Sequence, residues 1–484
     1  KNNMSTADNT PDAIVIGSGP NGLAAAIELA RNGASVRIVE AADEIGGGTR
    51  SGELTLPGFV HDICSAVHPM GILSPFYRQL PLDEFGLDWV LPPASVAHPL
   101  DDGDAIMLYK SLERTAEGLG RDERNYIRLI KPLMHDVHGL LADAMAPLGI
   151  PKHPIQMARF GLRAAFSANR LAKIIFREER ARALLGGCGG HSVLPLSQPL
   201  TAALGTLFLL TAHVENWPVA RGGSQSIARA LGRYFESLGG TIETGNRVDR
   251  LDALPNAPVV IFDTSPEQLS TIAGDALPAG YRRRLGRYRY GPGDFKIDWA
   301  LDGPIPWRDP NCLEASTVHV GGTLDEIAAS ERAMYRGQHS DRPYLILCQQ
   351  SQFDSTRAPE GKHTGYAYCH VPHGSTVDRT EAIEAQVERF APGFRDLILA
   401  RHTMNTVEFE AHNPNYKGGA ITGGVADALQ LFNRPVTRID PYATPNPRLF
   451  ICSAATPPGG GVHGQGGYHA AQSALKRLGR NARK

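Results

Sequence analysis

Cysteine is sparse and unpaired in this sequence: six in 484 residues (Cys64, Cys188, Cys312, Cys348, Cys369, Cys452), with no CxxC pair. Such usage excludes a disulfide frame, a cysteine-built metal site and dithiol–disulfide chemistry. Long apolar runs are missing too, and a bilayer-spanning helix needs about 20 such residues. No sign of charge dominates: 49 basic residues face 50 acidic ones, a net −1. The whole molecule therefore carries no field suited to nucleic acid. Residues 1–11 are polar and lack the apolar core of a signal peptide, and Met4 reads as the natural start. Neither an internal repeat nor a low-complexity tract is present. These absences point to a cytoplasmic globular enzyme with free thiols and no metal.

Glycine, by contrast, is plentiful at 52 residues, and its placement carries the chemistry. An apolar run, Ala13 to Ile16, enters a turn holding Gly17, Gly19, Pro20, Asn21 and Gly22. An alanine-rich helical segment follows, Leu23 to Asn32. A second apolar run, Val36 to Val39, ends at Glu40. In such a βαβ unit the first glycine permits the turn, the second admits a pyrophosphate, and the third lets helix and strand pack closely. The helix N-terminus offers free N–H groups to the phosphates. Glu40 can accept hydrogen bonds from ribose hydroxyls and disfavours a 2′-phosphate, so the nucleotide should be of the FAD or NAD type.

The glycine run Gly46-Gly47-Gly48-Thr49-Arg50 suits a second loop meeting the diphosphate, with Arg50 supplying charge; it also suits a plain connector. His61 and His68 lie in an ordered stretch and read better as structural than as catalytic. Residues 110–185 are helical in pattern. Within them, Lys152 to Arg177 carries Lys152, Arg159, Arg163, Arg170, Lys173 and Arg177 without an acid. That pattern fits an anionic membrane surface or the solvated face of a cap. Ile227 to Leu238 reads as a helix; the run Gly239 to Val248, as turn plus strand, and the buried strand from Pro258 to Phe262 read as a return to the nucleotide-binding sheet. Residues 285–435 look like a second domain with an antiparallel sheet.

The tail decides between nicotinamide and flavin. A strand, Leu449 to Cys452, feeds Ser453 and then a long loop, Gly459-Gly-Gly461-Val462-His463-Gly-Gln-Gly466-Gly467. A small-residue helix starts near Gly466. A positive helix end at a flavin ring would stabilise its reduced form, and a nicotinamide enzyme has no need of this second loop. His463 can tune the ring or move a proton, or merely pack in its loop. His191, in Cys188-Gly-Gly-His191, is a further candidate for the substrate cavity.

The first βαβ unit, the Gly46–Arg50 run, the Pro57–Pro69 stretch, Arg221-Gly-Gly and the 453–470 loop occur in this order in the phytoene desaturase-like FAD-dependent oxidoreductases. The chain resembles that group, within the amine oxidase and glutathione reductase-type flavoprotein superfamily, and is most similar to the branch of pyridine nucleotide-disulphide oxidoreductase domain protein 2 and the oxygenase-type carotene ketolases. The chain departs from the usual pattern in placing Gly48 and Thr49 before Arg50.

The resemblance implies an α/β fold, with a Rossmann-like FAD domain (10–80, 220–280, 440–484) and a mixed α+β substrate domain with a helical cap (81–219, 281–439). It implies non-covalent FAD touching Gly17, Gly19, Pro20, Asn21, Gly22, Glu40, Gly46, Gly47, Thr49, Arg50, Val248, Ser453, Gly461, Val462 and Gly466. The implied reaction is dehydrogenation of a hydrophobic polyene or isoprenoid by hydride transfer to flavin N5, with oxygen or a quinone as acceptor. A ketolase, an isomerase or a flavin-free prenyl-binding escort protein are the alternatives. Contact with the inner face of a membrane and a homodimer complete the expectations.

Overall fold

The computed structural model describes residues 10–480; Met4 and the rest of residues 1–9 lie outside them. Strand β1 (Ala13–Ile16) is buried along its whole length. It reads as an unbroken apolar run because a parallel sheet is covered on both faces. Helix α1 (Pro20–Arg31) begins with Gly19 as N-cap and Pro20 in its first turn, where the missing N–H of proline costs nothing. Strand β2 (Val36–Val39) follows. β1 and β2 sit in a five-stranded, all-parallel sheet whose order is Leu449–Ile451, Val259–Phe262, β1, β2, Thr241–Glu243. Widely separated parts of the chain thus return to one sheet, as the runs from Gly239, Pro258 and Leu449 led one to expect; the first supplies only Thr241–Glu243, and Val248 lies outside the strand.

Helix Gln465–Arg477 packs along α1. A methyl group at Gly467 would lie 1.9 Å from the Asn21 carbonyl oxygen, so this contact tolerates only glycine. The tail loop is thereby fastened beside the first glycine turn.

The second sheet has seven strands: Ile398–Met404, Gly293–Leu301, His363–Val371, Leu345–Cys348, Ala315–Val320, Ala94–Pro99 and Ala105–Tyr109. It is mixed, not purely antiparallel, because Ala315–Val320 runs parallel to Ala94–Pro99. Two of its strands come from before residue 110, where the sequence reading placed none. Helices fill 112–214. The basic stretch is two helices, Pro154–Ala164 and Ala168–Ile175, with Ser167 capping the second through the Arg170 N–H. Nor is it free of acids in space: Lys173 Nζ lies 2.7 Å from Asp325. Among the described residues no helix is long and apolar enough to cross a membrane.

Candidate dinucleotide and substrate cavity

Beyond β1 the chain turns through Gly17, whose φ of +97° favours glycine. A methyl group at Gly22 would lie 2.2 Å from the Gly17 carbonyl oxygen, which fixes the third glycine of the motif. Beneath the turn lies Asp263, directly after strand Val259–Phe262. Its Oδ2 accepts the Gly22 N–H at 2.8 Å. Burial lifts the Asp263 carboxyl to about 7; the nearby Glu40 adds to this, and the Gly22 and Gly19 N–H groups oppose it.

Glu40, at the end of β2, is buried. Its Oε2 accepts both the Ser18 N–H (2.8 Å) and the Ser18 hydroxyl (2.6 Å). Among the described residues, its Oε1 accepts only the Ala42 N–H, at 2.8 Å. A carboxylate oxygen has two lone-pair sites, so Oε1 retains one for a further donor. The second glycine loop meets the first: the Gly46 N–H donates to the Ser18 carbonyl at 3.0 Å. Arg50 Nε donates to the Gly47 carbonyl at 3.2 Å.

One cavity of about 660 Å³ joins these elements. Of the residues expected at a cofactor, Gly17, Gly19, Pro20, Asn21, Glu40, Gly47, Arg50, Val248, Ser453, Gly461 and Val462 are in its wall. Gly22, Gly46, Thr49 and Gly466 stand behind it. Gly22 is engaged by Asp263, and Thr49 is fully buried with its hydroxyl on the Gly46 carbonyl. Gly466 is pressed against the Cys452 carbonyl, 2.7 Å from where its methyl would be. These four shape the backbone of the wall from behind.

Both candidate histidines border the cavity. His463 is spent on its own loop. Its Nδ1 accepts the Gln465 N–H at 3.1 Å, and Nε2 lies 3.2 Å from where a Gly461 methyl would be. Burial drops its imidazole to about 4, against the weaker pull of the Gly460 and Gly459 carbonyls, so it is neutral at pH 7. His191 Nε2 lies 2.9 Å from His319 Nε2, and burial drops His191 to about 3. His61 and His68 are each pushed down to about 4 by burial and bonded to a hydroxyl, Thr55 for His61 and Ser224 for His68; His68 also borders the cavity, and its Nδ1 has no partner among the described residues.

The remaining wall is largely apolar, with Val67, Met70, Leu204, Leu207, Phe208 and Trp217. Three residues received no site role in the sequence reading: Asp263 and Trp217 in this wall, and His319 behind it. Asp263 carried a signal, since it ends a strand of the same parallel sheet as Glu40 does, and ligands of such sheets bind beyond the strands' carboxyl ends. No group of side chains among the described residues could hold a metal ion.

The profile of the NAD(P)-binding Rossmann-like domain family matches residues 15–80. The chain is 34% identical to a limonene dehydrogenase component of Castellaniella defragrans over 530 aligned positions, covering 97% of this chain and 95% of that one. It is 25% identical to pyridine nucleotide-disulfide oxidoreductase domain-containing protein 2 of Rattus norvegicus, with 96% and 94% covered. Phytoene desaturase (neurosporene-forming) of Rhodobacter capsulatus is 24% identical, with 93% and 91% covered. Among solved structures, putrescine oxidase shares the fold, with a TM-score of 0.61 at 17% identity over 97% of this chain and 99% of that one. The parallel sheet, the paired glycine loops and these end-to-end likenesses agree: the chain belongs to the phytoene desaturase-like oxidoreductases, the family it shares with that limonene dehydrogenase component.

Proposed function

We propose that this chain is an FAD-dependent dehydrogenase that introduces a double bond into a hydrophobic small molecule of the polyene or isoprenoid kind. The observation that carries this is the single cavity, which joins a dinucleotide-type wall to a largely apolar one. Bound FAD would supply the two-electron acceptor chemistry. Glu40 Oε1 would take a ribose hydroxyl, and the backbone at Gly17–Asn21 together with Arg50 would face the diphosphate. The Gly459–His463 loop would border the ring, with His463 holding that loop in place. The apolar wall would exclude water and align the substrate, the main source of rate when the acceptor does the chemistry. Asp263 and Glu40 belong to the dinucleotide-type wall, and neutral His191 and His463 put no strong acid or base beside the substrate, which suits hydride removal from an unactivated substrate better than proton abstraction.

The division into a nucleotide-binding unit (10–80, 220–280, 440–484) and a substrate unit with a helical cap (81–219, 281–439) belongs to the same proposal. It is supported by the sheets: every strand of the parallel sheet falls in the first set and every strand of the seven-stranded sheet in the second. Reoxidation by oxygen or a quinone, contact with an anionic membrane face and a homodimer complete the reading. Anaerobic bleaching of the flavin tests it, against a panel of polyenes, amines and quinols. A polyene or isoprenoid should bleach the colour; bleaching by amines alone would contradict the substrate class.

A further inference from the structure

Three histidines cluster at the cavity, His191 in its wall and His319 and His98 buried behind it, and their hydrogen bonds fix which way each ring faces. His191 ends helix Glu179–Gly190. His319 lies on strand Ala315–Val320 and His98 on Ala94–Pro99, neighbouring strands in the second sheet. His98 and His319 have no exposed surface at all.

His98 Nε2 lies 2.7 Å from the Gly322 carbonyl oxygen. A carbonyl only accepts, so His98 carries its proton on Nε2. Burial lowers its pKa to about 4, so the ring is neutral and Nδ1 holds a lone pair. Among the described residues, His98 Nδ1 and His319 Nδ1 are both buried without a partner. They converge on Gly187, where a methyl group would lie 3.0 Å from the one and 2.6 Å from the other. The two rings stand edge to face, 6.2 Å apart. A lone pair on His98 Nδ1 favours a proton, not a second lone pair, on the His319 nitrogen that faces the same point. Burial also holds His319 well below its ordinary pKa, so it has one proton, and His319 Nε2 is then an acceptor. His191 Nε2, 2.9 Å away, must donate to it. The tautomer of each ring follows from the bond made by the one before it. His191 Nδ1 is left as an acceptor with no partner among the described residues, on a ring bordered by Phe208 and Trp217 at 4.8 and 5.9 Å.

We propose that the cavity selects an otherwise apolar substrate bearing one hydrogen-bond donor, a hydroxyl or N–H, which His191 Nδ1 accepts while His319 and His98 set its tautomer. The inference rests on reading the cavity as a dehydrogenase's substrate chamber, and it narrows that substrate from a hydrocarbon to a donor-bearing one. His191 would be a specificity residue, and His319 a positioning residue acting through it.

The test uses the FAD-loaded protein with two probes, geraniol and geranyl methyl ether, which differ in the donor. Binding is followed by the fluorescence of Trp217, which borders the cavity. Geraniol should bind about tenfold more tightly than the ether, because the ether leaves a buried acceptor unpaired. The preference should vanish in His191→Phe and in His319→Leu. It should survive in His319→Gln, whose side-chain oxygen can still accept from His191 Nε2. Equal affinities in the wild type, failure of both probes to bind, or a preference retained in His319→Leu would each overturn the proposal. If the protein takes no FAD, the dehydrogenase reading fails by itself, while the probe preference can still be read.

Discussion

Replacing Glu40 by alanine removes one carboxylate from three protein donors and, on this account, from a ribose hydroxyl. Two of the three donors are backbone N–H groups, of Ser18 and Ala42. Ser18 sits inside the glycine turn, so its release loosens the turn that faces the diphosphate. A hydrogen bond to a charged acceptor is worth about 1.5–3 kcal/mol. Loss of the ribose contact alone should therefore weaken FAD binding roughly 10- to 150-fold, since about 1.4 kcal/mol is a factor of ten. Glu40→Gln separates the two roles. One side-chain oxygen can still accept from Ser18, and the amide cannot accept from Ala42 or the ribose. Its FAD affinity should fall nearly as far as that of the alanine variant, while more of the turn's stability survives. Quenching of FAD fluorescence on titration of apoprotein gives the affinities, and thermal melting of the apoproteins gives the stability. Unchanged FAD affinity in both variants would refute the assignment of Glu40 to the ribose.

His463→Ala should reduce bound flavin at near the wild-type rate, because both ring nitrogens face the residue's own loop; stopped-flow reduction showing a loss of about 10²-fold or more would restore it as an acid or base. His370 is buried, which lowers its pKa, but Glu331 at 2.7 Å outweighs this and lifts it to about 8. Its folded value lies above the ordinary 6.5, so its stabilisation is full below about pH 6.5 and lost as pH rises through 8. The loss should be about 2 kcal/mol, and melting between pH 6 and 9 should show it in wild type and not in His370→Gln. If the protein binds anionic vesicles, charge reversal at Arg163, Arg170 and Lys173 should abolish salt-sensitive cosedimentation. The exposed Ile155, Leu162 and Ile174 on the same two helices supply apolar contact, and wild-type protein that stays in solution leaves this face a solvated cap.

The nucleotide half was legible because its constraints are local. Gly17, Gly22 and Glu40 fall within one βαβ unit, where turn, helix start and strand end follow in fixed order. The tail loop was legible for a similar reason, with a strand, a glycine run and a small-residue helix in succession. What stayed hidden depends on long-range packing. Asp263 reaches the first turn across 241 positions to Gly22. His191 and His319 are 128 apart, and no spacing rule pairs them. Strands Ala94–Pro99 and Ala105–Tyr109 are buried throughout, so they lack the alternation that marks a half-exposed strand. The basic stretch misled in one respect: sequence cannot show Asp325 folding back onto Lys173.

The most direct test of the central claim is the flavin itself. Purified protein, or apoprotein reconstituted with FAD, should carry one FAD per chain. Heat or acid denaturation followed by filtration should release it as a yellow filtrate absorbing at about 450 nm, as free flavins do. Protein that stays colourless and does not take up added FAD would contradict the account.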